Sequence, residues 1–112
     1  MAKSLQIWAN QVTDEQFTAL HFATYHGNYQ LITLICDEMR ADINLRNVYG
    51  AHVLHIAAQG DQPTPLFYFV RIKGMSLDDV DNRGSTPLHW ACYSKSEFAL
   101  SYILAMNPNL ES

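Results

Sequence analysis

The feature that most constrains the fold of this chain is a sequence repeat with a period of 34 residues. Leucine–histidine pairs occur at Leu20-His21, Leu54-His55 and Leu88-His89, and an alanine follows each pair in the same register. A fixed period of this length is typical of solenoids, in which each repeat buries its faces only by stacking on its neighbours. The sequence therefore predicts a stack of similar units.

Each unit reads as two helices preceded by a tight turn. Thr86 is a good helix N-cap, and Pro87 suits the first helical position because its missing N–H costs nothing there. Asp81-Asn82-Arg83-Gly84 reads as a turn in which glycine takes a positive φ. The apolar pairs that share the 34-residue register predict the buried face of a second helix; they are Ile32/Ile35, Leu66/Phe69 and Leu100/Ile103.

The run Thr86-Pro87-Leu88-His89-Trp90-Ala91 matches the T-P-L-H-x-A signature, and the chain resembles the ankyrin repeat family over nearly its whole length. The resemblance implies an all-α solenoid of about three helix pairs joined by β-hairpin-like fingers. We expect a single domain over residues 1–112, with a partial N-terminal helix and finger (1–16), two repeats (17–49 and 50–83) and a truncated third (84–112).

The repeats depart from the family pattern at four places. His52-Val53 replaces Thr-Pro, which predicts a helix without hydroxyl cap or proline and the least stable helix start of the stack. The turn glycine of the second repeat, Gly60, comes one place early, and Lys95 replaces the inter-helix glycine of the third. The residue beyond the usual 33 is expected in a longer connection at 37–40.

The two ends of the stack differ in character. At the N-terminus, Ser4 to Ala9 reads as the tail of a helix, with Trp8 covering the open end. At the C-terminus, the helix over 98–106 is as apolar as an internal one, which predicts weak self-association through Phe98, Tyr102 and Met106. The same observation favours an excerpt of a longer protein over a natural three-repeat chain.

Composition excludes several function classes. The net charge of −4 lacks the basic field expected of nucleic-acid binding, and it disfavours adsorption to an anionic membrane. No apolar run is long enough for a signal peptide or a membrane span, so a cytoplasmic protein, or one on the cytosolic face of a membrane, is expected. Cys36 and Cys92 fall on core-like helical positions, which favours free thiols over a disulfide.

The residues that could carry chemistry have simpler structural interpretations. His21, His55 and His89 recur one repeat apart, about 10 Å, which is too far for shared metal coordination, so a hydrogen-bonded ladder at the helix starts is expected. A buried cysteine is a poor nucleophile. The acidic residues Asp78, Asp79, Asp81 and Glu97 lack the spacing of a calcium loop. We therefore predict no catalytic residue, cofactor or metal.

The positions that the repeat leaves free point to recognition. In the ankyrin family the concave side, made by the finger tips and the first helices, usually binds the partner. Three sets of equivalent residues occupy these positions. They are a column of large apolar side chains (Phe22, Ile56, Trp90), a flanking column (Tyr25, Gln59, Tyr93) and the finger tips (Glu15, Tyr49, Arg83). Two interpretations stay open, since aromatic residues are favoured binding hot spots but Phe22 and Trp90 could instead complete the core.

The resemblance implies a non-enzymatic protein–protein interaction module that holds a protein or peptide segment in its concave groove. An alternative comes from the run from Thr86 to Ser94, which looks like repeats ahead of the catalytic domain of DHHC-type protein S-acyltransferases. The chain would then be the substrate-recruiting region of a larger membrane enzyme. It contains no Asp-His-His-Cys motif, so that activity is not assigned to it.

Overall fold

The computed structural model describes residues 10–106, and it shows three stacked helix pairs. The inner helices are α1 (Ala19–His26), α3 (Val53–Gln59) and α5 (Pro87–Ser94), and the outer helices are α2 (Tyr29–Thr33), α4 (Pro63–Phe67) and α6 (Glu97–Met106). The predicted all-α solenoid is confirmed. The expected helix at residues 4–9, with Trp8, lies outside the described residues, as do residues 107–112.

The core follows the 34-residue register. Inner helices pack side by side, α1 on α3 and α3 on α5, and each outer helix packs behind its own inner helix. Leu20, Leu54 and the alanines of the repeat are buried between them. The predicted apolar pairs of the outer helices are also in the core, where five of the six are fully buried and Leu100 is half-buried. Burial of one stripe per helix explains why these helices form only as a stack.

The fingers are hairpin-shaped turns, and no β-strand occurs within residues 10–106. A backbone hydrogen bond closes each finger at an equivalent position. In the second finger Asn47 N–H donates to the Ala51 carbonyl (3.0 Å), and in the third Asp81 N–H donates to the Ser85 carbonyl (2.9 Å). Adjacent fingers are joined by Asn82 N–H donating to the Tyr49 carbonyl at 3.0 Å. The fingers therefore form a continuous edge along the stack.

The residue that lengthens the repeat lies in the outer helices. Each of the first two outer helices continues as a π-helical turn, Leu34–Glu38 after α2 and Tyr68–Ile72 after α4. Met39 N–H donates to the Leu34 carbonyl, five residues back, at 3.1 Å. The predicted longer connection at 37–40 is therefore wrong, because a π turn absorbs one extra residue without opening the helix.

The inter-helix turns place one residue in the left-handed region at the same position of every repeat. These residues are Gly27 (φ 71°), Asp61 (φ 57°) and Lys95 (φ 55°). Gly60, one place earlier, has an ordinary φ, but a Cβ there would lie 2.4 Å from the Tyr25 carbonyl oxygen. The glycine of the second repeat is thus required by close packing, and the positive φ is taken by Asp61 instead.

The second inner helix has a cap, contrary to the prediction. The His52 ring nitrogen Nδ1 accepts a hydrogen bond from Leu54 N–H at 3.2 Å, and Nδ1 of His55 accepts from His52 N–H at 3.3 Å. An imidazole lone pair serves the same purpose as a hydroxyl oxygen, since it satisfies an orphan donor of the first turn. The predicted uncapped helix at His52-Val53 is therefore wrong, although the proline is indeed missing.

Candidate functional site

Histidines at the starts of the inner helices hold the fingers in place. In His21 and His55, Nδ1 accepts from the backbone at the N-cap while Nε2 reaches a carbonyl of the following connection: Leu45 at 3.1 Å for His21 and Ser85 at 3.0 Å for His55. Because Nδ1 is an acceptor, each ring is neutral with its proton on Nε2. The predicted hydrogen-bonded ladder is confirmed for His21 and His55, and Nδ1 of His89 accepts from Thr86 N–H at 2.9 Å.

Burial lowers the pKa of these histidines. The pKa of His55 falls to about 4, chiefly because the buried ring cannot solvate a positive charge, and the pKa of His21 falls for the same reason. Burial also lowers the pKa of His52, although the hydrogen bond from its Nε2 to the Asp79 carboxylate (3.0 Å) opposes the shift. The starts of α1 and α3 are therefore built from neutral imidazoles.

A concave surface lies between the second and third fingers and the inner helices α3 and α5. We call it the aromatic groove; it encloses about 670 Å³. Its walls come from the fingers and its floor from the helices. The lining residues are Val48, Tyr49, Gln59, Asp81, Asn82, Arg83, Ser85, Trp90, Tyr93 and Ser94.

Trp90 is half-buried on the floor of the aromatic groove. Its indole Nε1–H donates to the Asp81 carboxylate at 2.8 Å, and its ring stands edge-on to His55 with centroids 5.6 Å apart. Burial alone would raise the pKa of Asp81, but hydrogen bonds from Ser85 N–H, from this indole and from Arg83 N–H together lower it. Trp90 thus fixes the third finger with one edge and leaves part of its ring in the groove.

The other residues of the groove are open to solvent. The exposed fraction of Tyr93 is 79%, far above what a core residue shows, and Tyr49, Gln59 and Arg83 are exposed as well. Five residues predicted from the free repeat positions are therefore brought together in one place: Trp90, Tyr93, Gln59, Tyr49 and Arg83.

The remaining predicted residues lie elsewhere. Phe22 is exposed and lines a smaller pocket of about 360 Å³ with Thr13, Asp14, Glu15 and Phe17, at the first finger. Tyr25 is exposed but lines neither pocket. Ile56 is only 2% exposed, so its side chain presents no surface to a partner. It packs as a core residue, because α3 is flanked by neighbours on both sides whereas α5 has a described inner-helix neighbour only on one.

Five lining residues of the groove were not among the predicted site residues: Val48, Asp81, Asn82, Ser85 and Ser94. Val48 and Asn82 immediately precede the finger tips Tyr49 and Arg83, and the Asn82 amide donates to the Val48 carbonyl at 3.0 Å. Val48 and Asn82 are one repeat of 34 residues apart, so the sequence shows that they occupy equivalent positions. What the sequence did not show is that this hydrogen bond joins the second and third fingers beside the groove.

The cysteines and the acidic cluster show no catalytic or metal-binding arrangement. Cys36 is buried with a pKa raised to about 11 by that burial, whereas Cys92 is exposed, so its predicted core position is wrong. Both thiols are free. Between residues 10 and 106 no three His, Cys, Asp or Glu side chains converge on a point that could hold a metal ion. None of the helices in that same range is long and apolar enough to cross a bilayer.

Comparison with protein families matches nearly the whole chain. A family model described as "Ankyrin repeats (3 copies)" matches residues 41–112, and one described as "Ankyrin repeat" matches residues 15–48. The two matches together span all three helix pairs.

Three curated relatives illustrate the range of similar proteins. The chain is 32% identical over 99 residues to NF-kappa-B inhibitor alpha of Gallus gallus, which covers 86% of this chain and 31% of that protein. It is 33% identical to regulatory protein NPR4 of Arabidopsis thaliana, over 76% of this chain and 15% of that protein. It is 32% identical to human ankyrin repeat domain-containing protein 53, over 70% of this chain and 15% of that protein. The chain thus spans less than a third of the length of these relatives.

Proposed function

Because the chain belongs to the ankyrin repeat family, we propose that it is a non-enzymatic protein-interaction module whose partner segment lies in the aromatic groove. The single observation that carries this proposal is the cluster of Trp90, Tyr93 and Tyr49 around one open concavity of about 670 Å³. Large aromatic side chains with a polar atom are the residues most often found at binding hot spots.

The shape and chemistry of the groove favour an extended segment. It is an open channel between fingers, and its tyrosine hydroxyls, Gln59 amide and Arg83 guanidinium are exposed to offer hydrogen bonds along its length. A proline-containing or otherwise extended segment stacks on such aromatic walls with little loss of conformational entropy. Phe22 and Tyr25 extend the same exposed side of the inner helices toward the first repeat.

A non-enzymatic role is supported by the state of the candidate nucleophiles and bases. The buried Cys36 thiol has a raised pKa, and the buried His21 and His55 rings use both nitrogens in structural hydrogen bonds. Each of these groups is therefore committed to the fold and unsuited to proton transfer or attack on a substrate.

The test compares aromatic residues on opposite faces. Tyr93→Ala and Tyr49→Ala should leave the melting temperature within about 2 °C, because both side chains are more than half exposed. Each should reduce capture of partner from a cell extract at least about thirtyfold, as expected for a central hot spot. The matched control is Phe67→Ala, which removes an exposed aromatic ring from the outer helix α4. Equal capture by all three variants would contradict the proposal.

The finer assignments stay predictions. No observation on the described residues bears on the alternative of a substrate-recruiting region of a protein S-acyltransferase, which rests on the run from Thr86 to Ser94 alone. We also propose a cytoplasmic location and weak self-association through α6.

A further inference from the structure

The finger tips of the three repeats differ in charge in a fixed order. The first finger carries Asp14 and Glu15, the second carries the uncharged pair Val48 and Tyr49, and the third carries Arg83. Since the fingers form one continuous edge, this order produces a gradient of exposed tip charge along the concave side, from two carboxylates at the first finger to one guanidinium at the third.

These tip charges are free to meet a partner. Asp14, Glu15 and Arg83 are exposed, and none of them belongs to an ion pair among the described residues. In the second finger Arg46 is already committed, since its guanidinium donates to the carbonyls of Gly50 and Val80 at 2.6 and 2.8 Å.

The carboxylates near Arg83 are less available to a partner than its guanidinium, since Asp81 is half-buried and Arg83 is exposed. The Asp81 carboxylate accepts three hydrogen bonds from the finger and from Trp90, and Asp79 accepts from His52. Asp78 is not among the lining residues of the aromatic groove, and Glu97 begins the outer helix α6. Hydrogen bonds from neutral donors leave Asp81 ionised, so the third finger is neutral overall against two negative charges on the first, and the charge that it exposes is that of Arg83.

Each end of the gradient adjoins an aromatic cavity. Asp14 and Glu15 line the smaller pocket with Phe17 and Phe22, while Arg83 lines the aromatic groove with Trp90 and Tyr93. The two ends lie two repeats apart, about 20 Å at the usual helix spacing. An extended peptide covers that distance in about six residues.

From this juxtaposition we infer that the partner is an extended segment with basic residues at one end, acidic residues at the other and apolar residues between them, about six residues apart. Its basic end lies over the first repeat and its acidic end beside Arg83, so the charges fix the direction in which it binds. The inference rests on the proposed function, because it assumes that the concave side is the binding surface.

The experiment uses two labelled peptides of the same composition. One has two lysines, Pro-Leu-Pro-Leu-Pro and two glutamates, and the other has this sequence in reverse order. We expect fluorescence anisotropy to show at least about a fivefold difference in affinity between them at about 20 mM salt, falling below about twofold at about 0.5 M, because exposed charge pairs are screened.

A charge-exchange variant supplies the decisive comparison. Glu15→Lys combined with Arg83→Glu keeps the net charge at its original value and should invert the preference for peptide order. Glu38→Lys combined with Arg71→Glu makes the same exchange on the outer helices and should leave the preference unchanged.

The possible failures separate this inference from the proposed function. Equal binding of both peptides, or a preference that the exchange at positions 15 and 83 does not invert, overturns the inference even if Tyr93→Ala weakens binding. Absence of binding by either peptide also overturns it. The proposed function fails only if Tyr93→Ala and Tyr49→Ala capture partner as well as Phe67→Ala does.

Discussion

At the scale of single residues, His52 shows how an irregular repeat keeps its helix start. Nδ1 of this buried ring caps α3 through Leu54 N–H, which leaves Nε2–H to donate to Asp79. The Thr-Pro pair at Thr86 is a common pattern and predicts an oxygen cap. No such pattern marks the imidazole of His52, although its ring nitrogen has equal reach.

Replacement of His52 should therefore destabilise the chain. His52→Ala removes the cap and the bond to Asp79, each worth about 1 kcal/mol, so the free energy of unfolding should fall by about 2 kcal/mol. Asp79→Ala should lower the free energy of unfolding by only about 1 kcal/mol, since it removes the hydrogen bond to His52 and leaves the cap in place. Urea denaturation measures both. The double variant His52→Thr/Val53→Pro should give no gain in stability, and a gain would contradict this role of His52.

The neutral histidines make stability depend on pH. The folded pKa of His55, about 4, lies below the ordinary value near 6.5, so the unfolded chain binds the proton first. Stability is thus complete above about pH 6.5 and is lost as pH falls toward 4. His55 alone should lower the free energy of unfolding by about 2 kcal/mol between pH 8 and pH 5. His21 and His52 act in the same direction.

Denaturation at a series of pH values checks this expectation. The carboxylates with lowered pKa, Asp37 and Asp81, lose their contribution only below about pH 4, so the interval from pH 8 to pH 5 reports the histidines. His55→Asn should reduce the slope of stability against pH in this interval. A free energy of unfolding that stays constant from pH 8 to pH 5 would show that these rings are not held neutral by the fold.

At the scale of elements, the sequence predicted the helices far better than their ends. Inner and outer helices follow from the spacing of apolar residues, which burial enforces in every repeat. The π turns Leu34–Glu38 and Tyr68–Ile72 could not be predicted, since an extra residue leaves the same trace in the sequence whether a loop or a helix absorbs it. The backbone bond from Met39 to Leu34 decides between them.

The outer helix α6 should mediate weak self-association. Phe98, which is 70% exposed, lies at four-residue spacing from the half-buried Tyr102 and Met106, so the three side chains form one apolar stripe. Light scattering over a hundredfold range of concentration should show a mass that rises above the monomer. Phe98→Glu should abolish the rise, whereas Phe67→Glu, on α4, should not. A constant monomer mass at all concentrations would contradict the prediction.

At the scale of the whole molecule, the proposed binding surface follows from the register of the repeats. Free positions of the signature predicted which residues gather at the aromatic groove, because equivalent positions of a solenoid lie side by side. The repeat pattern alone did not show which residues at equivalent positions are exposed and which are buried. Ile56 is enclosed by helices on both sides, while Trp90, one repeat later, keeps part of its ring exposed and uses its N–H to hold Asp81.

The structural contacts of Trp90 also determine which variants are informative about binding. Trp90→Ala removes a hydrogen bond and an edge-on contact with His55, so it should lower stability and partner binding together. Tyr93 makes no such contact in the described structure, and its ring projects into the groove from the same helix. Position 93 is therefore where binding can be probed without disturbing the fold.

Site-specific photo-crosslinking tests the central claim most directly. Benzoylphenylalanine is placed at position 93 in the aromatic groove, or at position 67 on the outer face, and each protein is irradiated in the same cell extract. If the concave side binds the partner, position 93 should yield a discrete crosslinked product that excess unlabelled wild-type chain competes away, and position 67 should not. A competable product from position 67 with none from position 93 would contradict the account and place the binding surface on the outer helices.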